Sequence, residues 1–217
     1  MIFFTLNCTS NVENSKVIKS DAKEKLLFHS EIGSQNLKIQ VLVFDLKTNK
    51  NTKELLVELN QEGKIVFSDT LTIEMIEEPM IELRDINGDE TDDLLIEYLI
   101  PGRGTNKVFM VYLFEQSNVK LNKISNSIYF PNLSYDENLG YISSFRFYGG
   151  DAVQMDFLKI ESDTLSSKYN ILREEQWLYV KKFDGQDWIE SFSKLISDDI
   201  IIPEIIALEP EVIINTD

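Results

Sequence analysis

The chain has 217 residues, 43% apolar and 11% aromatic, enough for one sizeable packed domain. No apolar run reaches the roughly 20 residues of a transmembrane helix. The net charge of −16, from 21 basic and 37 acidic residues, argues against nucleic acid and against electrostatic docking on an anionic membrane. A cation or a basic protein is what such a field attracts, although acidity also serves solubility alone.

Residues 1–25 stand apart in composition. Ile2-Phe3-Phe4-Thr5-Leu6-Asn7-Cys8 is apolar, and Thr9 to Lys25 is rich in Ser, Asn and Lys. This reads as the tail of a truncated lipoprotein signal followed by a disordered polar tether, with Cys8 as the candidate lipid anchor. A basic n-region is missing, the apolar stretch is short, and Asn7 and Thr5 are poor neighbours for a lipidated cysteine. A buried or disordered stub is therefore the other reading. Cys8 is the single cysteine, so no intrachain disulfide forms. Residues 26–217 are expected to form a single β-rich domain.

From Leu37 the pattern is short apolar or alternating runs separated by turn residues. Strands are expected at Leu37–Leu46, Glu54–Leu59, Ile65–Ser68, Leu71–Ile76, Met80–Leu83 and Leu94–Ile100, with turns at Lys47–Asn51 and Glu62-Gly63. Val108–Phe114 is almost continuously apolar, which predicts burial on both faces. Tyr141–Tyr148 and Val153–Ile160 flank a tight turn at Gly149-Gly150-Asp151. Trp177–Phe183 and Trp188–Phe192 flank Asp184-Gly185-Gln186-Asp187, the clearest hairpin. Residues 193–217 have no clear assignment, and Pro203 and Pro210 break any long helix there. Strands at this spacing, rich in Val, Ile, Tyr and Phe, predict an all-β antiparallel meander.

Between the Met80 and Leu94 runs lies the most informative segment, Asp85-Ile86-Asn87-Gly88-Asp89-Glu90-Thr91-Asp92-Asp93. A hard cation such as calcium takes six or more oxygens, and a tight loop offers them at alternate residues. Asp85, Asn87, Asp89 and Asp93 would ligate through side chains and Thr91 through its carbonyl, with Gly88 allowing the turn. A strand follows, so this is not a helix-loop-helix site. Position six is Glu90, where Gly is usual, and position twelve is Ile96 rather than a bidentate Glu. Ten carboxylates and one base, Arg84, fall between Glu74 and Glu97, and a cation would relieve their repulsion. Asp, Asn and Gly are also common turn formers, so an acidic turn with no metal is the plainer account.

The loop resembles the Asp-x-Asn-Gly-Asp-x-x-x-Asp loops of bacterial β-propeller and FG-GAP-like proteins. Phe130-Pro131-Asn132-Leu133-Ser134-Tyr135-Asp136 and Gly140-Tyr141-Ile142-Ser143-Ser144 extend the resemblance to a family of small bacterial cell-envelope proteins. That resemblance covers about residues 35–190. It implies an irregular β-propeller-like fold with one Ca2+ loop. Some members are inhibitors or immunity proteins against peptidoglycan-cleaving lysozymes, which implies a basic hydrolase as partner. The metal motif occurs once, so a regular propeller with a loop in every blade is not expected.

Catalytic groups are scarce. His29 is the sole histidine and no Gly-x-Ser-x-Gly elbow is present. Cys8 and His29 cannot make a zinc site alone. Arg103, in Pro101-Gly102-Arg103-Gly104-Thr105, and Tyr148, beside Gly149-Gly150, are candidate partner-binding residues, with solvated turns as the default. The expectation is a non-catalytic calcium-binding envelope protein, in the periplasm or lipid-anchored to the outer membrane, that binds another protein. A carboxylate-dependent carbohydrate hydrolase and a purely structural surface lipoprotein remain as alternatives.

Overall fold

A computed structural model describes residues 24–33, 36–45, 52–74, 78–98, 106–149 and 152–195. Among the described residues, fourteen strands carry the fold. The first sheet holds β1 (Glu24–Ile32), β2 (Leu37–Asp45), β3 (Thr52–Gln61) and β4 (Lys64–Glu74). The second holds β5 (Ile81–Arg84), β6 (Asp93–Glu97), β7 (Phe109–Glu115) and β8 (Lys120–Ile124). The third holds β9 (Leu133–Asp136), β10 (Tyr141–Gly149), β11 (Ala152–Glu161), β12 (Thr164–Glu174), β13 (Trp177–Phe183) and β14 (Trp188–Leu195). Within each sheet, strands adjacent in sequence pair antiparallel, and none of the described sheets closes into a barrel.

The middle sheet packs face to face against the other two. Because side chains alternate along a strand, each strand of the middle sheet can serve two cores. Leu94, Ile96, Met110, Tyr112, Phe114 and Leu121 pack against Ile39, Val41, Leu55, Val57 and Leu59 of the first sheet. The intervening residues Leu95, Phe109, Val111 and Leu113 pack against Leu133, Ile142, Leu158 and Leu165 of the third. This is why residues 109–114 read as an unbroken apolar run: all six are buried. A third core, with Met155, Phe157, Tyr169, Ile171, Leu178 and Val180, lies within the large sheet.

The chain departs from the expected pattern in places. The run at 65–68 and the described part of the run at 71–76, residues 71–74, belong to one strand, β4, bent by a bulge opposite Leu59 and Asn60. Strands β1, β8, β9 and β12 were not foreseen. β1 starts at Glu24, two residues inside the segment read as a tether. The turn at Lys47–Asn51, most of the segment around Cys8, and residues 196–217 lie outside the described residues.

Candidate metal loop

Strands β5 and β6 pair up to Arg84 opposite Asp93, so residues 85–92 close a hairpin. Asp85, first in the loop, is its hub. One carboxylate oxygen accepts the N–H groups of Asn87 (3.1 Å) and Gly88 (2.7 Å), and the other accepts that of Glu90 (2.9 Å). The Asn87 side-chain oxygen accepts the Asp89 N–H at 3.0 Å. Asp89 in turn accepts the Thr91 N–H at 2.9 Å, and also the Thr91 hydroxyl. The Asn87 amide donates to the other Asp89 oxygen at 2.9 Å. Asp or Asn recurs at alternate positions because each side-chain oxygen satisfies the amide two residues on.

Two contacts weld this loop to the fold. Gly88 has φ +77°, and a Cβ there would fall inside the ring of Tyr135. The loop therefore seats directly on β9 of the third sheet. The segment 85–93 and the segment 130–136, distant in sequence, meet at this contact. Asp93 makes the second weld. It is 0% exposed, and its two oxygens accept the N–H groups of Ile86 (3.0 Å) and Phe114 (2.9 Å). It thus ties the loop to β7.

Electrostatics at the loop are one-sided. Burial pushes the Asp93 carboxyl up to about 7; its two amide bonds oppose this, and the charges of Asp89 and Asp85 add to it. Among the described residues no ion pair reaches Asp85, Asp89 or Asp93, and Arg84 pairs with Glu82 (3.2 Å). The donor set fits a hard cation in kind: three carboxylates, the Asn87 carboxamide oxygen and the Thr91 carbonyl. In the form described, the side-chain oxygens of Asp85, Asn87 and Asp89 accept the loop's own amides, and those of Asp93 accept the Ile86 and Phe114 amides. Among the described residues no three Asp, Glu, His or Cys side chains are gathered at metal-ligand spacing. The structure brings Asp85, Asn87, Asp89 and Thr91 into one network and sets Asp93 beneath it.

Glu90 sits at φ +66°, the left-handed region that favours the glycine usual at its position. Asn132 also has a positive φ and joins the chain at 106–107 to β10. Its amide donates to the Phe145 carbonyl (2.8 Å), and its oxygen accepts the Lys107 N–H (2.9 Å).

Of the other candidate residues, Cys8 and Arg103 lie outside the described residues. Tyr148 is on β10 and exposed; its hydroxyl accepts from Arg146 (3.2 Å) and donates to Gln154. Arg146 is anchored by the Tyr129 carbonyl at 2.6 Å. His29 is exposed on β1, opposite Gln40.

A polar row beside Tyr148 escaped the sequence reading. Gln154 donates to Asp156 (3.1 Å), which is buried and also accepts from Ser167 (3.2 Å) and Asn170 (2.7 Å). Its signal was the alternation Val153-Gln154-Met155-Asp156-Phe157, with polar groups on one face and core on the other.

The fold and loop define an all-β protein of stacked antiparallel meanders, with an acidic hairpin turn fastened between two sheets. No family model matches the chain, and no curated protein matches it. Among solved structures it is similar to a Xanthomonas protein described as related to the type IV secretion system. The two share 14% identity at a TM-score of 0.49, over 77% of this chain and 98% of the other.

Proposed function

We propose that this protein is a non-catalytic, calcium-binding protein of the bacterial cell envelope that binds and inhibits a basic peptidoglycan hydrolase. The observation that carries the reading is the Asp85–Asp93 loop, whose carboxylates have no basic partner among the described residues and whose two welds join the second and third sheets. Asp85, Asn87, Asp89, Thr91 and Asp93 would hold the ion. A bound divalent cation supplies the positive charge the turn lacks, so its role is to brace the fold rather than to react. The charge of −16 steers a basic partner and raises its on-rate at low salt. Tyr148, exposed and oriented by Arg146 and Gln154, and Arg103 are the proposed contact residues, and Cys8 the proposed lipid attachment. The resemblance of residues 85–93, 130–136 and 140–144 to a family of small envelope proteins, some of which inhibit lysozymes, supplies the partner class.

Two measurements test this. Calcium at a hundredfold excess over its Kd should stabilise the fold by about 2.7 kcal/mol, more than magnesium does, and Asp89→Ala should abolish the gain. An unchanged calcium response in that variant places the ion elsewhere. A panel of lysozyme-type enzymes should show salt-sensitive inhibition by the purified chain. A panel with no inhibition or binding at low salt removes the hydrolase as partner.

A further inference from the structure

The outer hairpin of the large sheet carries an aromatic row that the loop does not explain. Along β13, Leu178 and Val180 are buried in the third core, so Trp177, Tyr179, Lys181 and Phe183 share the opposite face. Pairing with β14 adds Leu195, Ser193, Glu190 and Trp188 to that face, opposite each in turn. The rings form two pairs. Trp177 stacks on Tyr179 with centroids 6.2 Å apart and planes at 25°. Phe183 lies against Trp188 with centroids 5.5 Å apart. At about 3.4 Å per residue, Tyr179 and Phe183 are about 14 Å apart along the strand. Lys181 and Glu190, one charge of each sign, face each other between the pairs. Trp177 is 44% exposed and Trp188 43%, although both are large rings that would bury readily in a core.

We infer that this face is a binding platform for an uncharged polysaccharide strand. The C–H bonds of a sugar ring pack on the electron-rich face of an indole or phenol, while its hydroxyls at the ring edge take hydrogen bonds. Lys181, Glu190 and Ser193 provide a donor, an acceptor and a hydroxyl between and beside the two ring pairs. Charge selects among the ligands that aromatic rows bind. Single-stranded nucleic acid also stacks on such rings, but needs a positive groove along its backbone. Here the row is balanced and the whole chain is at −16, which disfavours phosphate backbones, anionic membranes and a second copy of the chain. A neutral glycan meets no such penalty. The platform requires neither the cation in the loop nor a hydrolase partner.

The chain has only two tryptophans, and both belong to this row, so tryptophan emission, excited beyond the tyrosine absorption band, reports on the platform alone. The test is titration of the full chain with two neutral β-1,4-linked probes, cellohexaose and hexa-N-acetylchitohexaose, followed by retention on gels containing the matching soluble polysaccharide. The expected result is a saturable emission change with at least one probe. Trp177→Ala and Trp188→Ala should each weaken retention about tenfold, as removal of an aromatic anchor does. Their melting points should stay near the parent's because both rings are exposed. No emission change at millimolar sugar overturns the inference, and so does undiminished retention of both variants. An emission shift with phosphatidylcholine vesicles and none with sugar overturns it in favour of a lipid surface. A shift that depends on protein concentration alone does so in favour of self-association.

Discussion

Substituting Gly88 by Ala tests how the loop is fastened. The residue has φ +77°, where an L side chain costs about 1 kcal/mol. Its new methyl would also occupy the space of the Tyr135 ring, which must shift out of partly buried packing. Overpacking of this kind costs about 2 kcal/mol, so the total is about 3 kcal/mol. For a domain of this size that lowers Tm by about 9 °C. The two contributions separate in a double-mutant cycle measured by urea denaturation in chelator. In a Tyr135→Ala background the clash is gone, and Gly88→Ala should cost only about 1 kcal/mol, the backbone share. Tyr135→Phe keeps the ring and should keep the full penalty. Equal costs of Gly88→Ala in the parent and in the Tyr135→Ala background would refute the seating of the loop on β9.

Asp93→Ala strands the buried amides of Ile86 and Phe114 and should cost about 4 kcal/mol, at about 2 kcal/mol each, in urea melts without metal. A loss below about 1 kcal/mol would mean that these amides find other partners. Glu90→Gly releases a left-handed non-glycine residue and should stabilise by about 1 kcal/mol, whereas Glu90→Ala should not. Burial, with a hydrogen bond to Asp69 (2.7 Å), holds the Tyr112 hydroxyl well above the usual tyrosine range. Its folded value exceeds its unfolded one, so its contribution is complete below about pH 10 and is lost as pH rises beyond that. Tyr112→Phe should therefore flatten the alkaline fall of Tm above about pH 10 relative to the parent.

The strands most visible in the sequence are those whose burial follows a simple rule. β7 is buried on both faces and reads as continuous apolar sequence, and the hairpin at residues 184–187 is announced by Asp184 and Gly185. There Asp184 accepts the N–H groups of Gln186 and Asp187, both at 2.9 Å, and Gly185 takes φ +106°. The missed strands break the alternation. In β8 only Leu121 and Ile124 are buried, three residues apart. β1 and β12 each carry a bulge, at Leu27 and at Lys168, which shifts the period partway along. At the loop, the spacing of Asp85, Asn87, Asp89 and Asp93 was legible because it follows local amide geometry. Two features were not: the turning of Asp93 toward Phe114 and the seating of Tyr135 on Gly88 both depend on packing between sheets. The aromatic row was hidden for a related reason. Trp177 and Trp188 were read only as flanks of a turn, and their common face depends on the strand register.

The sequential strand order has a consequence for how the molecule is made. Each sheet can form from neighbouring hairpins with short loop closures, which favours rapid local pairing for an all-β chain. The middle sheet cannot be stable alone, because both its faces are apolar. As the chain emerges from its N-terminus, the first sheet can cover Leu94, Ile96, Tyr112 and Phe114 as soon as β8 is complete. Leu95, Phe109, Val111 and Leu113 then remain open until residues 133–165 arrive to cover them. That interval is the chain's point of greatest exposure to aggregation, and a chaperone would act on this one apolar face.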